Sequence, residues 1–141
     1  MRLDLYYAEC CRIADEQSAL LKEAQQKLIA KQVLTKLEQN GVLHGLQVLV
    51  ENAIGETKHL LKASGESVPV SAYDSFASLH AKKLITHAQL QQWNAAVGLR
   101  NRIVHEYMNV DMTLVFALIE QQDYQFIVEF LREPISIQQS S

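Results

Sequence analysis

The sequence predicts an all-α fold, a bundle of about four long helices plus one short helix in a single domain over residues 1–134. Three observations carry this. Apolar residues recur at helical rather than alternating spacing along most of the chain. Only 5 Gly and 2 Pro interrupt 141 residues, too few for a turn-rich β architecture. Helix-start signatures, a hydroxyl residue with Glu or Gln three places on, stand where the periodicity restarts.

Taken in order, Leu3, Tyr6, Cys10, Ile13, Ala14, Leu20, Leu21, Ala24 and Leu28 share helical spacing, so one amphipathic helix runs from about Leu3 to the low thirties. Its polar side carries Asp15, Glu16, Lys22, Glu23, Gln25 and Lys27. Thr35 and Glu38 form a capping box that opens a second helix to Ala63, with Gly65 at its stop. Asn40-Gly41 is a turn-like dipeptide and offers a rival position for that break; Thr35 is preferred. Ser64 to Val70, with Gly65, Ser67 and Pro69, reads as a loop. Ser71 then caps a short helix over Tyr73–Leu84 that turns Phe76, Leu79 and Leu84 inward. Thr86 with Gln89 is another capping box, opening a helix through His105. Asn109 to Asp111 breaks the pattern, and Asp111 caps a last helix through Leu131 with Leu114, Ala117, Leu118, Ile127 and Leu131 as its stripe. Pro134 ends it, and 135–141 form a polar tail.

Composition narrows the class. Hydrophobic residues at 48% and charged residues at 21% are ordinary globular usage, and the length suffices for a core without disulfide or metal staples. The net charge of -3 argues against a surface coated in basic residues but allows a local basic patch. Cys10 and Cys11 are adjacent and poorly placed to bridge each other. No charged, apolar leader opens the chain and no apolar run is long enough to span a bilayer, so a reduced, cytoplasmic location without membrane contact is expected. The five histidines show no His-x3-His spacing, so neither metal nor other cofactor is expected. No phosphate-cradling glycine loop is present, so the chain is not itself expected to transfer nucleotides.

One segment departs from plain helical economy. Arg100-Asn101-Arg102-Ile103-Val104-His105-Glu106-Tyr107 packs two guanidiniums, an amide, an imidazole and a phenol into eight residues at a helix end. On an ideal helix Arg100 and Tyr107 share a face, but His105 lies about 140° round from Arg100. Either the last turn unwinds, or a second copy supplies part of the site across a two-fold axis. Arginine beside histidine, without a carboxylate cluster, suits metal-free cleavage of an RNA phosphodiester. The imidazole moves the 2′-hydroxyl proton or protonates the leaving oxygen, and the guanidinium stabilises the charge that builds on phosphorus oxygens. Asn101 can hold a phosphate oxygen or orient the imidazole. Against this stands the plainer reading of a cationic helix end that complements the helix dipole.

GLRNRIVHEY, Gly98 to Tyr107, resembles the Arg-x4-6-His signature of the HEPN superfamily, in the Arg-x4-His-x-Tyr form typical of HepT-like proteins. Val42 to Ala63 resembles that family's second helix, Ala72–Phe76 and Leu84–Thr86 its third, and Asn109–Val115 the start of its last. The resemblance spans about Leu37 to Leu131 and implies a homodimer whose paired motif helices form a composite endoribonuclease site. It implies that Arg100 and His105 are catalytic, with Asn101 beside them. Tyr107 matches the tyrosine that an MntA-type nucleotidyltransferase antitoxin can adenylylate, so toxin and antitoxin would be an RNase and the enzyme that blocks it. Glu51, His59 and Arg102 are candidate supports for the site, Glu51 and His59 lying near one helical face with His44; Gly55 stands where the family often carries Asp. The alternative is a non-catalytic subunit that holds a nucleotide or substrate for a nucleotidyltransferase, and a third is a purely oligomerising domain. Trp93 and Phe76 are tempting base-stacking platforms, but their helical spacing assigns them to the core. His80, Lys82, Lys83 and His87 make a modest basic cluster that could guide a phosphate backbone.

Overall fold

The computed structural model describes residues 3–133, so the expected Pro134 stop and the 135–141 tail lie outside the described residues, as does the side chain of Leu3. Six α-helices follow one another: α1 (Leu3–Ile29), α2 (Lys36–Ala63), α3 (Ala72–Ala81), α4 (His87–His105), α5 (Met112–Glu120) and α6 (Gln125–Arg132), with a 3-10 turn at Tyr107–Asn109. No strand occurs among the described residues.

The expected starts hold because the caps form. Thr35 and Thr86 each accept from the backbone N–H three residues on, and Glu38 and Gln89 return the bond to the cap's own N–H. Asp111 accepts from Thr113 N at 3.0 Å and opens α5. The ends differ from expectation in three places. α1 stops at Ile29, where Lys31 takes φ 60°; α3 stops at Ala81 instead of Leu84, where Lys83 takes φ 62°. The expected last helix is two, because Gln122 at φ 56° lets Asp123 N reach Leu118 O at 3.0 Å and close α5.

α2 is the central helix and packs against α1, α3, α4 and α6. Its Leu46, Leu49, Val50, Ala53 and Leu61 are buried, together with Ala14 and Leu21 from α1 and Ile119, Ile127 and Leu131 from α5 and α6. Two expected stripe members are instead exposed. Leu20 is turned about 100° from the buried Leu21, and Leu114 at 64% exposure faces away from the core. Trp93 and Phe76 are core residues as expected: their rings stack at 4.5 Å, and Phe126 and Phe130 of α6 meet the indole edge-on at 4.9 and 5.0 Å. This aromatic cluster joins α3, α4 and α6.

Candidate active site

α4 nowhere comes within 8 Å of α5 or α6, Cα to Cα, although Trp93 bridges to α6. Between these helices lies a cleft of about 790 Å³. Leu46 and Val50 of α2, Leu99 and Ile103 of α4, and Leu114 and Leu118 of α5 give it apolar walls. Its cationic groups are Arg100 and Arg102, and its other polar groups include Gln92, Gln122 and Asp123.

Arg100 is half-buried, and its Nε is buried without a hydrogen-bond partner among the described residues. A buried donor of this kind is costly unless something else accepts from it. Asn101 is half-buried, and Arg102 is exposed. His105, the last residue of α4, is exposed and does not line the cleft. The helix does not unwind before it: Glu106 N bonds Arg102 O at 2.7 Å, and only Glu106, at φ -133°, leaves helical geometry. The angular separation of Arg100 and His105 therefore persists, and a single chain does not bring the two together.

Tyr107 opens the 3-10 turn, is 45% exposed, and donates its hydroxyl to Asn40 Oδ1 of α2. Glu51 is exposed and accepts from Gln47 Nε2 at 3.4 Å. His59 stacks on Tyr6 of α1 at 4.6 Å. Neither lines the cleft. The basic cluster is remote: His87 begins α4, some 20 Å of helix from Arg100. There His80 Nδ1 sits 3.2 Å from Ile85 O, and Lys82 pairs with Glu66 at 2.5 Å.

Two polar residues escaped the sequence reading. Asn40 looked like a turn former, yet it lies inside α2 and holds Tyr107. Glu56 is fully buried, with neither carboxylate oxygen hydrogen-bonded among the described residues. Burial pushes its carboxyl up to about 8, an effect that the neighbouring Cys10 offsets only in part. Burial and Glu56 together push the Cys10 thiol up to about 12, and burial raises the Tyr6 and Tyr7 phenols as well. The signal was present in the spacing Leu49, Ala53, Glu56, Leu60, which places a carboxylate on the apolar stripe of α2. Gly55 has a steric role beside it, because a Cβ there would meet the Tyr6 hydroxyl at 3.1 Å.

A helical bundle built round one long central helix, with Arg-x4-His-x-Tyr at the end of the helix packed against it, is the architecture that the resemblance to the HEPN superfamily implies. The chain belongs to the ribonuclease HepT-like family, whose profile matches residues 14–134. It is 27% identical over 96 residues to the mRNA nuclease HepT of Shewanella oneidensis, covering 67% of this chain and 72% of that one. To a putative RNase of Archaeoglobus fulgidus it is 30% identical over 93 residues, covering 66% and 70%. To the tRNA nuclease HepT of Aphanizomenon flos-aquae it is 31% identical over 74 residues, covering 52% and 50%. Several solved structures share the fold, two of them over more than nine-tenths of this chain. One is a toxin–antitoxin with AMP-PNP, with a TM-score of 0.75, 19% identity and coverage of 93% and 99%. The other is the tri-AMPylated Shewanella oneidensis HEPN toxin in complex with MNT antitoxin, with a TM-score of 0.72, 23% identity and coverage of 94% and 98%.

Proposed function

We propose that this ribonuclease-family protein is a metal-independent endoribonuclease toxin that works as a homodimer. Arg100 of one copy and His105 of the other act on the same RNA phosphate, and a partner nucleotidyltransferase silences the pair by adenylylating Tyr107. In cleavage the 2′-oxygen attacks the adjacent phosphorus and the bond to the 5′-oxygen breaks. His105 carries the proton from the attacking to the leaving oxygen, Arg100 stabilises the charge on the phosphorus oxygens, and Asn101 holds one of them. The products are a 2′,3′-cyclic phosphate and a free 5′-hydroxyl. In silencing, Tyr107 Oη attacks the α-phosphorus of ATP, pyrophosphate leaves, and the phenolic proton is released. A charged phosphodiester then stands two residues from His105, where RNA phosphate would bind.

The observation that supports this best is the division of the site: Arg100 sits at the cleft with an unpartnered buried Nε, while His105 is exposed on another side of the same unbroken helix. A two-fold copy of α4 in the cleft meets both needs, because an isologous interface places each copy's histidine against the other's arginine.

Mixing two dead variants tests it. Arg100→Ala and His105→Ala should each lose at least about a hundredfold in RNA cleavage. Refolded together, they form mixed dimers that keep one intact arginine–histidine pair of the two. Activity should then return to about a quarter of wild type, since half the dimers are mixed and each has one working site. No recovery on mixing would reject the shared site, and cleavage undiminished in either variant would reject the chemistry. With the partner and ATP, AMP mass should appear on the wild type and not on Tyr107→Phe.

A further inference from the structure

The six residues 104–109 are all exposed; Ile103 is the last buried residue before them. Within this stretch lie His105, at the end of α4, and Tyr107, at the start of the 3-10 turn. The turn buries no residue, and its backbone approaches no helix but α4 within 8 Å, Cα to Cα. Its backbone bonds are short-range, Asn109 N to Glu106 O at 2.8 Å and Val110 N to Tyr107 O at 3.5 Å. Among the described residues, the one side-chain hydrogen bond from this stretch to the rest of the molecule is Tyr107 Oη to Asn40 Oδ1, spanning 67 positions of sequence. Asn40 itself sits on a firm base. Thr35 and Glu38 close the capping box one turn before it, and Lys27 of α1 pairs with Glu38.

We propose that Asn40 is a positioning residue for His105, holding the end of α4 through the Tyr107 hydroxyl, and that nucleotidyl transfer to Tyr107 releases this latch. The inference rests on the reading of Arg100 and His105 as the cleaving pair. The chemistry of release is simple. The Asn40 carbonyl oxygen only accepts, so the bond exists while the phenol has a proton to give. Transfer from a nucleoside triphosphate forms an O–P bond at Tyr107 Oη, breaks the α–β anhydride, expels pyrophosphate and sends the phenolic proton to solvent. The resulting aryl phosphodiester has no hydrogen to donate and sets a negative charge against an acceptor. Modification thus frees the segment of chain that carries the histidine, in addition to setting bulk and charge where the RNA phosphate would bind.

A double-mutant cycle on RNA cleavage by the full-length dimer separates the latch from the block, because Asn40→Ala and Tyr107→Phe both break the bond and neither adds bulk or charge. Each should lower kcat about three- to tenfold, the effect of one hydrogen bond, with KM unchanged. The double variant should fall no further than either single one. Asn40→Asp keeps an acceptor and should retain wild-type kcat. Wild-type kcat in both single variants, or losses that multiply in the double variant, would overturn the latch. Failure of the cleavage reading looks different, since Arg100→Ala would then cleave like wild type. Amide exchange needs no turnover: both variants should speed exchange over residues 104–110 equally, and unchanged protection there would also reject the proposal.

Discussion

Glu56 shows how much one residue can set. It has no exposed surface and neither oxygen has a hydrogen bond within normal distance among the described residues, so burial of its ionised form is offset only in part, by the neighbouring Cys10. Its carboxyl is raised from 4.5 to about 8, which means that the folded chain keeps a proton the unfolded chain has lost between those values. The stability that Glu56 contributes is therefore fully present below about pH 4.5 and declines as pH rises to about 8, by up to about 1.4 kcal/mol per pH unit. Cys10, Tyr6 and Tyr7, which face it from α1, all have raised values, stay neutral through that window and add nothing to the slope. Chemical denaturation of Glu56→Gln should show a flatter profile than wild type between pH 5 and 8, with the variant the more stable protein at pH 9. Parallel profiles for the two proteins would show that the carboxyl ionises normally. The spacing along α2 already put Glu56 on the apolar stripe, but only the packing of α1 over it revealed the complete burial of its carboxyl.

Helix starts were readable and several helix stops were not, for a reason in the backbone. Starts depend on side chains, and Thr35–Glu38, Ser71, Thr86–Gln89 and Asp111 announce themselves. The stops of α1, α2, α3 and α5 depend on one residue reaching the left-handed region, which sequence signals most clearly when that residue is Gly. Gly65 at φ 82° marked the end of α2, whereas Lys31, Lys83 and Gln122 adopt the same geometry at φ 60°, 62° and 56° with no signal in their type. The division of the last helix at Gln122 was hidden in this way. These positions make a matched test by thermal or chemical unfolding. A Cβ at Gly65 meets nothing within 4 Å, so Gly65→Ala should cost about 1 kcal/mol through backbone strain alone. Lys31→Gly, at an exposed residue, should gain about 0.5 kcal/mol by relieving that strain. Equal stability of all three proteins would mean that the positive φ values carry no strain.

At the scale of the molecule, the bundle and the position of the polar segment at the end of α4 followed from periodicity and caps, while the cleft did not. Arg100, Leu114, Ile127 and Val50 come from four different helices, and no pattern within one helix reports how far α4 stands from α5. Leu114 shows the limit best, since helical spacing placed it in the core and the bundle leaves it 64% exposed on the cleft wall. An exposed leucine beside the half-buried Leu118 gives the cleft the apolar character of a protein interface more than that of an RNA groove. If a second copy fills the cleft, Leu114→Arg sets a charge into the interface and adds to the Arg100 and Arg102 already there. The substitution is at an exposed site, so helix content and the unfolding midpoint of the isolated chain should change little. Association should weaken by at least about thirtyfold, seen as a shift to monomer in analytical ultracentrifugation at micromolar concentration. Cleavage should fall with the dimer fraction, because a monomer holds Arg100 and His105 on different sides of α4. A Leu114→Arg protein that remains dimeric and active would place the interface elsewhere, and one that is monomeric yet active would confine the chemistry to a single chain.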